Sequence, residues 1–422
     1  MSDVDIRTFG CRLNAFESEV MRGHAEAADL KNTIIFNSCA VTKEAERQVR
    51  QAIRRAKRNN PEATIIVTGC AAQIHPETFA AMPEVTRVWG NREKMDPASY
   101  APSAPPVHVT DIMQLRDVAP QFVTHFSEKS RAFLQIQQGC NHRCTFCIIP
   151  FGRGNSQSIP LGHLVDQIKC LQQQGYQEIV LTGVDLTSYG EDLPSRPTLG
   201  QTVQRMLTAC SDLPRLRLSS LDPMEVLQDA ALMEVLSHHD RVMPFVHLSV
   251  QSGSNLILKR MKRRHLRDDV FLLCDRLRSK RPDVVFGADI ICGFPTETEA
   301  DFQDTMGLVQ GAFIPLFHAF SYSAHAQTPA SKMPQVDKAI RKDRTQRLMA
   351  LSETLKQTLF RQRAGQTVTV LAESEDRGYS EAFLPVKRGA GQGPWRSGGL
   401  YPVQLRWHNE GLVGEAVHDI AA

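Results

Sequence analysis

Three times before residue 71 a β-prone apolar run ends at a cysteine: "VDIRTFG" precedes Cys11, "NTIIFNS" precedes Cys39 and "ATIIVTG" precedes Cys70. Each is followed by a helix-like stretch, such as "TKEAERQVRQAIRRAKRN", in which Val49, Ile53 and Ala56 recur at helical spacing. Strand, turn and helix in succession specify parallel strands, because a parallel neighbour is reached only through a crossover long enough to hold a helix. The pattern predicts an α/β N-terminal domain over residues 1–125, built on a doubly wound parallel sheet. Ligands of such sheets gather outside the carboxyl ends of the strands. One cysteine at a strand end reads as a small buried residue, since cysteine is among the most buried types. Three at equivalent places read as a ligand set.

Pro97, Pro102, Pro105, Pro106 and Pro120 then interrupt a stretch with little periodicity, and residues 96–130 read as a linker. From Arg131 the alternation resumes with "AFLQIQQG", "EIVLTGV", "RLRLSSL", "FVHLSVQSG", "VVFGADIICGF" and "LFHAFSYS", separated by helix-like segments. These six strand–helix units over 126–362 predict a partial (β/α)6 TIM-like barrel, whose functional residues lie at the C-terminal ends of its strands. The run "VDKAIRKDRTQRLMALSETLKQTLFRQRAG" reads as one long helix ended by Gly365. After it, "TVTVLAE", "AFLPVK" and "YPVQLRW" predict a small β-barrel over 363–422.

A chain of 422 residues exceeds what one hydrophobic core supports, in keeping with several domains. No segment approaches the roughly 20 apolar residues of a membrane span, and "MSDVDIRTFG" lacks the features of a secretion signal, so a cytoplasmic protein without a membrane partner is expected. In that compartment the ten cysteines point to metal or redox chemistry and away from a disulfide framework.

The stretch "QGCNHRCTFCIIPFGRG" brings Cys140, Cys144 and Cys147 together and offers no fourth cysteine. Thiolates suit zinc or an iron–sulfur cluster. A structural zinc site needs four closed ligands, which would leave His142 to complete the set. A cubane cluster normally takes four cysteines, so three leave one iron open to a small molecule. Cys170, Cys210 and Cys274 lie among apolar neighbours on helix-like segments and read as core, and Cys292 stays outside the ligand set.

The cysteine spacing of 140, 144 and 147, with Phe146 before the last, resembles that of radical S-adenosylmethionine (SAM) enzymes. Together with "TFGCRLNAFESE", "NSCAVTKEAERQVRQAIR", "VTGCAAQ", "LTGVDL", "RLSSLDP", "HLSVQSGSNLILKRMKRRH", "GADIICGFPTETEADF" and "FSYSAHAQTPASKMP", nearly the whole chain resembles the methylthiotransferase family. "TFGCRLN", "NSCAVT" and "RLSSLDP" are most similar to the branch that modifies threonylcarbamoyladenosine in tRNA. The resemblance implies two [4Fe-4S] clusters, one on Cys140, Cys144 and Cys147 and one on Cys11, Cys39 and Cys70, with SAM chelating the open iron of the first. It implies a 5′-deoxyadenosyl radical and insertion of a methylthio group at C2 of N6-threonylcarbamoyladenosine, at position 37 in the anticodon stem-loop. The related reactions on isopentenyladenosine in tRNA, or on an aspartate of a ribosomal protein, are the alternatives. An electron-donor protein such as a flavodoxin is the implied reductant.

By the same comparison Thr182, Gly183 and Asp185 follow the second barrel strand, where the SAM amino group binds in the family. Ser219 and Ser220 at the third strand, and Gln251 and Ser252 at the next, are placed to orient ribose or carboxylate by hydrogen bonds. Thr296, His325 and Gln327 depart from the family pattern, as does "NSQSIP" after the cysteine loop. Lys259, Arg260, Lys262, Arg263, Arg264 and Arg267 form a basic strip that reads either as a solvated helix face or as a phosphate-binding surface, and Arg54, Arg55, Lys57 and Arg58 form a second. The C-terminal module resembles the RNA-binding TRAM domain, with Trp395, Tyr401 and Trp407 as stacking platforms or as core.

Overall fold

The computed structural model describes residues 3–115, 121, 123, 126, 130–390, 392–409 and 411–417. Strands β1 (Val4–Thr8), β2 (Thr33–Ser38), β3 (Thr64–Gly69), β4 (Arg87–Trp89) and β5 (Val107–His108) form one parallel sheet in that spatial order. Between them run helices α1 (Arg12–Ala27), α2 (Lys43–Asn59), α3 (Cys70–Ile74) and α4 (Pro76–Ala80). The strand side chains alternate between two apolar layers, as the pleat requires. Ile35 and Ile66 meet Met21 and Ala25 of α1, while Ile34, Phe36, Ile65 and Val67 meet Val49, Ile53 and Ala56 of α2. Helices therefore cover both faces, as expected of a doubly wound sheet. The strand order runs straight through without the reversal that gives dinucleotide-binding folds their crevice.

The linker reading is corrected over its described part. Residues Pro97–Tyr100 form a 3-10 turn that buries Tyr100 on Trp89, and β5 pairs with β4 through Val88↔Val107 and Trp89↔His108. The prolines there start or flank short elements, and a two-residue strand has no periodicity to detect. The expected boundary at 125/126 involves residue 125, which lies outside the described residues, as do 116–120 and 127–129 of the linker reading.

The central unit contains β6 (Ala132–Gln135), β7 (Gln137–Gln138), α5 (Ile149–Arg153), β8 (Gln157–Ser158), α6 (Leu161–Gln173) and β9 (Glu178–Thr182). It continues through α7 (Leu199–Ala209), β10 (Arg215–Leu218), α8 (Pro223–Gln228), α9 (Ala230–His238) and β11 (Phe245–Gln251). Then come α10 (Asn255–Met261), α11 (Arg267–Lys280), β12 (Val285–Cys292), α12 (Glu299–Gly311) and β13 (Leu316–Ser321). Two parallel sheets, β6-β9-β10 and β11-β12-β13, are joined by bridges at Leu216↔Val242 and Leu221↔Leu248. The result is the expected partial barrel of six strands. Phe16 and Val20 of α1 belong to the barrel's own apolar core, so the N-terminal sheet is docked on the barrel by burial.

Helix α13 (Lys338–Arg363) leads to β14 (Thr367–Ala372), β15 (Arg377–Tyr379), β16 (Pro385–Arg388), β17 (Leu400–His408) and β18 (Gly411–Ala416), a closed barrel in the order β14-β15-β16-β18-β17. This module seals the floor of the central barrel, where the parallel strands begin. Arg215 Nη2 donates to the Thr369 carbonyl at 2.7 Å, Arg217 Nη2 donates to the Ser380 carbonyl at 2.9 Å, and Phe245 stacks on Phe383 at 5.2 Å. The C-terminal strand ends are left facing the N-terminal sheet.

Gly69, at the turn into Cys70, has φ +92°, and a Cβ there would lie 2.3 Å from the Ser38 carbonyl oxygen; Gly365 has φ +86° but open space. Urea unfolding should report a loss of more than about 2 kcal/mol for Gly69→Ala. Gly365→Ala should cost about 1 kcal/mol, the conformational term alone.

Candidate active site

The ends of β1, β2 and β3 are neighbours, and the pairings Thr8↔Asn37 and Ser38↔Gly69 bring them level. Cys11, Cys39 and Cys70 consequently share one rim. Gly10 (φ +103°) lies so close that a Cβ would fall 2.9 Å from Cys39 Sγ. Burial pushes the Cys39 thiol up to about 12, and the charges of Cys70 and Cys11 add to that rise. A buried thiol of this kind ionises only beside compensating positive charge, which a bound metal centre supplies.

The second triad lies on the loop after β7. Gly139 (φ +70°) permits the loop to press on Asn155, whose carbonyl oxygen would be 1.8 Å from any Cβ. Cys140 Sγ donates to Asp185 Oδ2 at 3.2 Å. Burial, helped by Cys144, pushes Cys147 up to about 12. Burial acts the same way on Cys144, yet His142 and Arg263 outweigh it and hold that thiol below its ordinary value. Arg263 Nη1 points at Cys144 Sγ at 3.5 Å and its Nη2 pairs with Asp222 at 2.7 Å. His142 reaches the Lys262 carbonyl with its ring nitrogen. Among the described residues no three His, Cys, Asp or Glu side chains converge on a single-ion position. Three thiols on one loop and three on one sheet rim are soft donor sets of the kind that iron–sulfur clusters take.

The strand-end residues fall into two groups. Asp185 is clamped by Arg264 at 3.0 Å, and Arg264 also pairs with Glu225 at 3.1 Å. Gln137, which the sequence reading passed over, joins this group to the cysteine loop. Its Oε1 accepts from the backbone of Val184 and Asp185 at 2.9 and 3.0 Å, while its Nε2 donates to the Gly139 carbonyl at 2.8 Å. Gly183 is required because a Cβ would be 2.8 Å from Gln137 Oε1. Thr182 is buried behind it, and Ser219 Oγ is buried without a hydrogen-bond partner. Ser220 is half-buried, and Gln251 ends its strand at φ +68°. Ser252 belongs to a different arrangement: its hydroxyl lies 3.3 Å from Thr305 Oγ1 and accepts from Ser254 N at 3.2 Å, knitting β11 to α12. A cleft of about 580 Å3 opens beside this group, lined by Asn141, Thr187, Tyr189, Glu225 and Asp229 among others. Burial raises Glu225 there to about 7.

A family model described as Radical SAM superfamily matches residues 134–309, and one described as Uncharacterized protein family UPF0004 matches residues 3–90. The chain is 49% identical over 383 residues to the threonylcarbamoyladenosine tRNA methylthiotransferase MtaB of Rickettsia prowazekii (strain Madrid E), covering 91% of this chain and 90% of that protein. The chain belongs to the methylthiotransferase family of radical SAM proteins. The MtaB protein of Bacillus subtilis (strain 168) is 34% identical, over 92% of this chain and 90% of its own length. The tRNA-2-methylthio-N(6)-dimethylallyladenosine synthase of Roseobacter denitrificans (strain ATCC 33942 / OCh 114) is 33% identical over 88% of each chain. In fold, the methylthiotransferase is similar to the radical SAM methyltransferase TsrM of Kitasatospora setae, with a TM-score of 0.53 at 14% identity over 78% of this chain and 77% of that one.

In this methylthiotransferase the segment after Cys147 reaches Cys70 through Arg153, with Asn91 Nδ2 donating to the Gly152 carbonyl beside it. Arg153, six residues after Cys147 at the end of α5, is fully enclosed. Its Nε donates to Cys70 Sγ at 3.1 Å and its Nη2 donates to Asn14 Oδ1 at 2.5 Å and Glu17 Oε2 at 2.9 Å. Glu17 is also paired with Lys94 at 2.6 Å, both side chains being buried. Burial would raise the Glu17 carboxyl, but Arg153 and Lys94 outweigh it and hold it below the ordinary value of 4.5. On the opposite edge His325 Nε2 meets the Val41 carbonyl at 3.1 Å, which gives this departure from the family pattern a role at the domain junction.

The basic strip divides. Arg260, Arg263 and Arg264 are held inward by Thr296, Asp222 and Asp185, whereas Lys259, Lys262, Arg276 and Lys280 remain exposed, as do Arg54, Arg55 and Arg58 on α2. In the C-terminal barrel Trp395 is core and stacks on Tyr401 at 5.5 Å. Trp407 is 40% exposed, with Arg361 over its ring at 4.7 Å.

Arg153→Met should destabilise the protein by about 3 kcal/mol, because Glu17 keeps its charge with half its compensation; chemical denaturation measures this. The lowered Glu17 pKa means its contribution is complete above pH 4.5 and is lost as pH falls through the folded value. The wild type should therefore lose stability below that pH more steeply than Glu17→Gln.

Proposed function

We propose that this protein inserts a methylthio group at C2 of N6-threonylcarbamoyladenosine at position 37 of tRNA, using two [4Fe-4S] clusters and SAM. The observation that carries the reading is the pairing of two separate cysteine triads on adjoining domains, in a chain that matches the MtaB relative over 91% of its length. Cys140, Cys144 and Cys147 hold the cluster that binds SAM, and Cys11, Cys39 and Cys70 hold the auxiliary cluster. The bound groups supply one-electron cleavage of SAM and a site for sulfur.

The chain's own residues position and exclude. Arg263 neutralises charge at Cys144 through its 3.5 Å contact. Asp185, fixed by Arg264 and by the Gln137 bridge, presents a carboxylate beside the Cys140 loop for a cationic amino group. Ser219 Oγ, buried and unpartnered, is a ready donor or acceptor for a ribose or carboxylate oxygen. The N-terminal sheet covers the mouth and keeps water from a reactive intermediate. Thr182, Gly183, Ser220 and Gln251 shape the same rim, and Ser252 supports it from behind. The exposed lysines and arginines around the mouth and on α2 meet the anticodon stem-loop, with a salt-dependent affinity. A flavodoxin-like protein of the cytoplasm delivers the electron. Among the described residues no helix is long and apolar enough to cross a membrane.

Nucleoside analysis of tRNA from a strain lacking this gene tests the substrate. The methylthio form should vanish and N6-threonylcarbamoyladenosine should accumulate in its place, with restoration by the wild-type gene. Persistence of the methylthio nucleoside, in a cell with no second enzyme for it, contradicts the proposal.

A further inference from the structure

Arg12 directly follows Cys11, yet its side chain leaves the rim and enters the central barrel. There it lines a cavity of about 110 Å3 with Arg131, Phe133, Val180, Arg217, Leu218, Phe245 and Phe383. Among the described residues Arg12 makes no hydrogen bond or salt bridge. The nearest opposing group, Asp289, is already paired with His247 at 3.2 Å and flanked by His318.

At the cavity floor the arginines are matched by carboxylates: Arg131 Nη1 lies 3.4 Å from Glu373 and Arg215 Nη2 lies 3.6 Å from Glu381, in addition to the central Glu178. Glu178, fully buried, is the shared partner of Arg131 at 3.0 Å, Arg217 at 2.8 Å and Arg215 at 3.8 Å. Arg131 is only 7% exposed, and its Nη2 has no hydrogen-bond partner. A buried guanidinium whose Nε and Nη1 are held by Glu178 and Glu373 and whose Nη2 is left over, facing Arg12 across an apolar-walled cavity, can take one carboxylate oxygen. The volume of about 110 Å3 admits a group of roughly four heavy atoms and no purine ring.

Resting on the function proposed above, we infer that Arg12 and Arg131 receive the carboxylate of the threonylcarbamoyl substituent, and that this pair distinguishes the nucleoside from one with an uncharged hydrocarbon substituent. Arg12 couples that recognition to the chemistry, because its neighbour Cys11 holds the auxiliary cluster. The free carboxylate of SAM has the same chemistry and is the competing occupant.

The test uses anaerobically loaded full-length protein and three anticodon stem-loops: one with the threonylcarbamoyl carboxylate, one with that carboxylate converted to a primary amide, and one with a dimethylallyl group. Stem-loop binding by fluorescence anisotropy, SAM binding and kcat/KM are measured for wild type, Arg12→Gln, Arg12→Lys and Arg131→Gln at matched iron content. Wild type should bind the amide and dimethylallyl stem-loops about 10- to 100-fold more weakly than the carboxylate form. Arg12→Gln and Arg131→Gln should lose a similar factor on the carboxylate form and cease to distinguish it from the amide, and Arg12→Lys should recover part of the difference. Equal binding of carboxylate and amide by wild type overturns the inference. So does weakened SAM binding in Arg12→Gln with discrimination intact, which assigns the cavity to the cosubstrate. Wild type that modifies only the dimethylallyl stem-loop refutes the proposed function itself.

Discussion

A buried guanidinium ties the barrel's cysteine loop to the N-terminal sheet. Arg153 emerges from the cysteine loop of the barrel and ends against Cys70, Asn14 and Glu17 of the N-terminal sheet. An arginine taken out of water must be fully compensated, and removing one partner leaves an unpaired buried charge worth several kcal/mol. That penalty holds α5 against the sheet, beside the apolar contact of Phe16 and Val20 with the barrel core. The geometry at each triad follows from it, because Cys70 and the Cys140–Cys147 loop are positioned by opposite ends of the same contact. His325 with Val41, and the Lys43 amide with Ser323 Oγ at 3.2 Å, hold the far edge.

The three domains divide the ends of the barrel between them. The C-terminal β-barrel closes the floor through Arg215, Arg217 and Phe245, and the N-terminal sheet closes the mouth. Gln251 at φ +68° and Thr296 at φ +69° both occupy the left-handed region that costs a side chain of their kind about 1 kcal/mol or more. Thr296, one of the departures from the family pattern, sits at a φ that favours glycine. Here the threonine hydroxyl takes a 2.7 Å bond from Arg260, which offsets part of the strain and withdraws that arginine from the basic strip.

What the sequence revealed, and what it hid, follows from the range of each interaction. The strand runs ending at Cys11, Cys39 and Cys70 and the tight spacing of Cys140, Cys144 and Cys147 are local patterns, so the parallel N-terminal sheet, the partial barrel and the closing β-barrel were legible, and the six cysteines stood out as candidates. Strand β5 was not, because two residues between prolines have no period. The junction of Arg153 with Glu17 and Lys94 spans 136 and 77 positions, beyond any spacing argument. Gln137 looked like an ordinary polar residue near a strand end, and only its bonds to the Gly139 carbonyl and to the Val184 and Asp185 amides show that it joins the cysteine loop to Asp185. The basic strip misled in part: charge counts do not say which way a side chain turns, and Arg263 and Arg264 turn inward to carboxylates. Ser252 was selected as a strand-end hydroxyl, whereas its partners are Thr305 and Ser254.

The proposal that two metal centres rest on separate triads is tested most directly by iron and sulfide analysis of anaerobically purified protein beside its Cys39→Ala and Cys140→Ala variants. The expected result is about eight irons per wild-type chain and about four in each variant, with distinguishable spectra for the two that remain. A single zinc ion in the wild type, or loss of all iron from either variant while the protein stays folded, would contradict it.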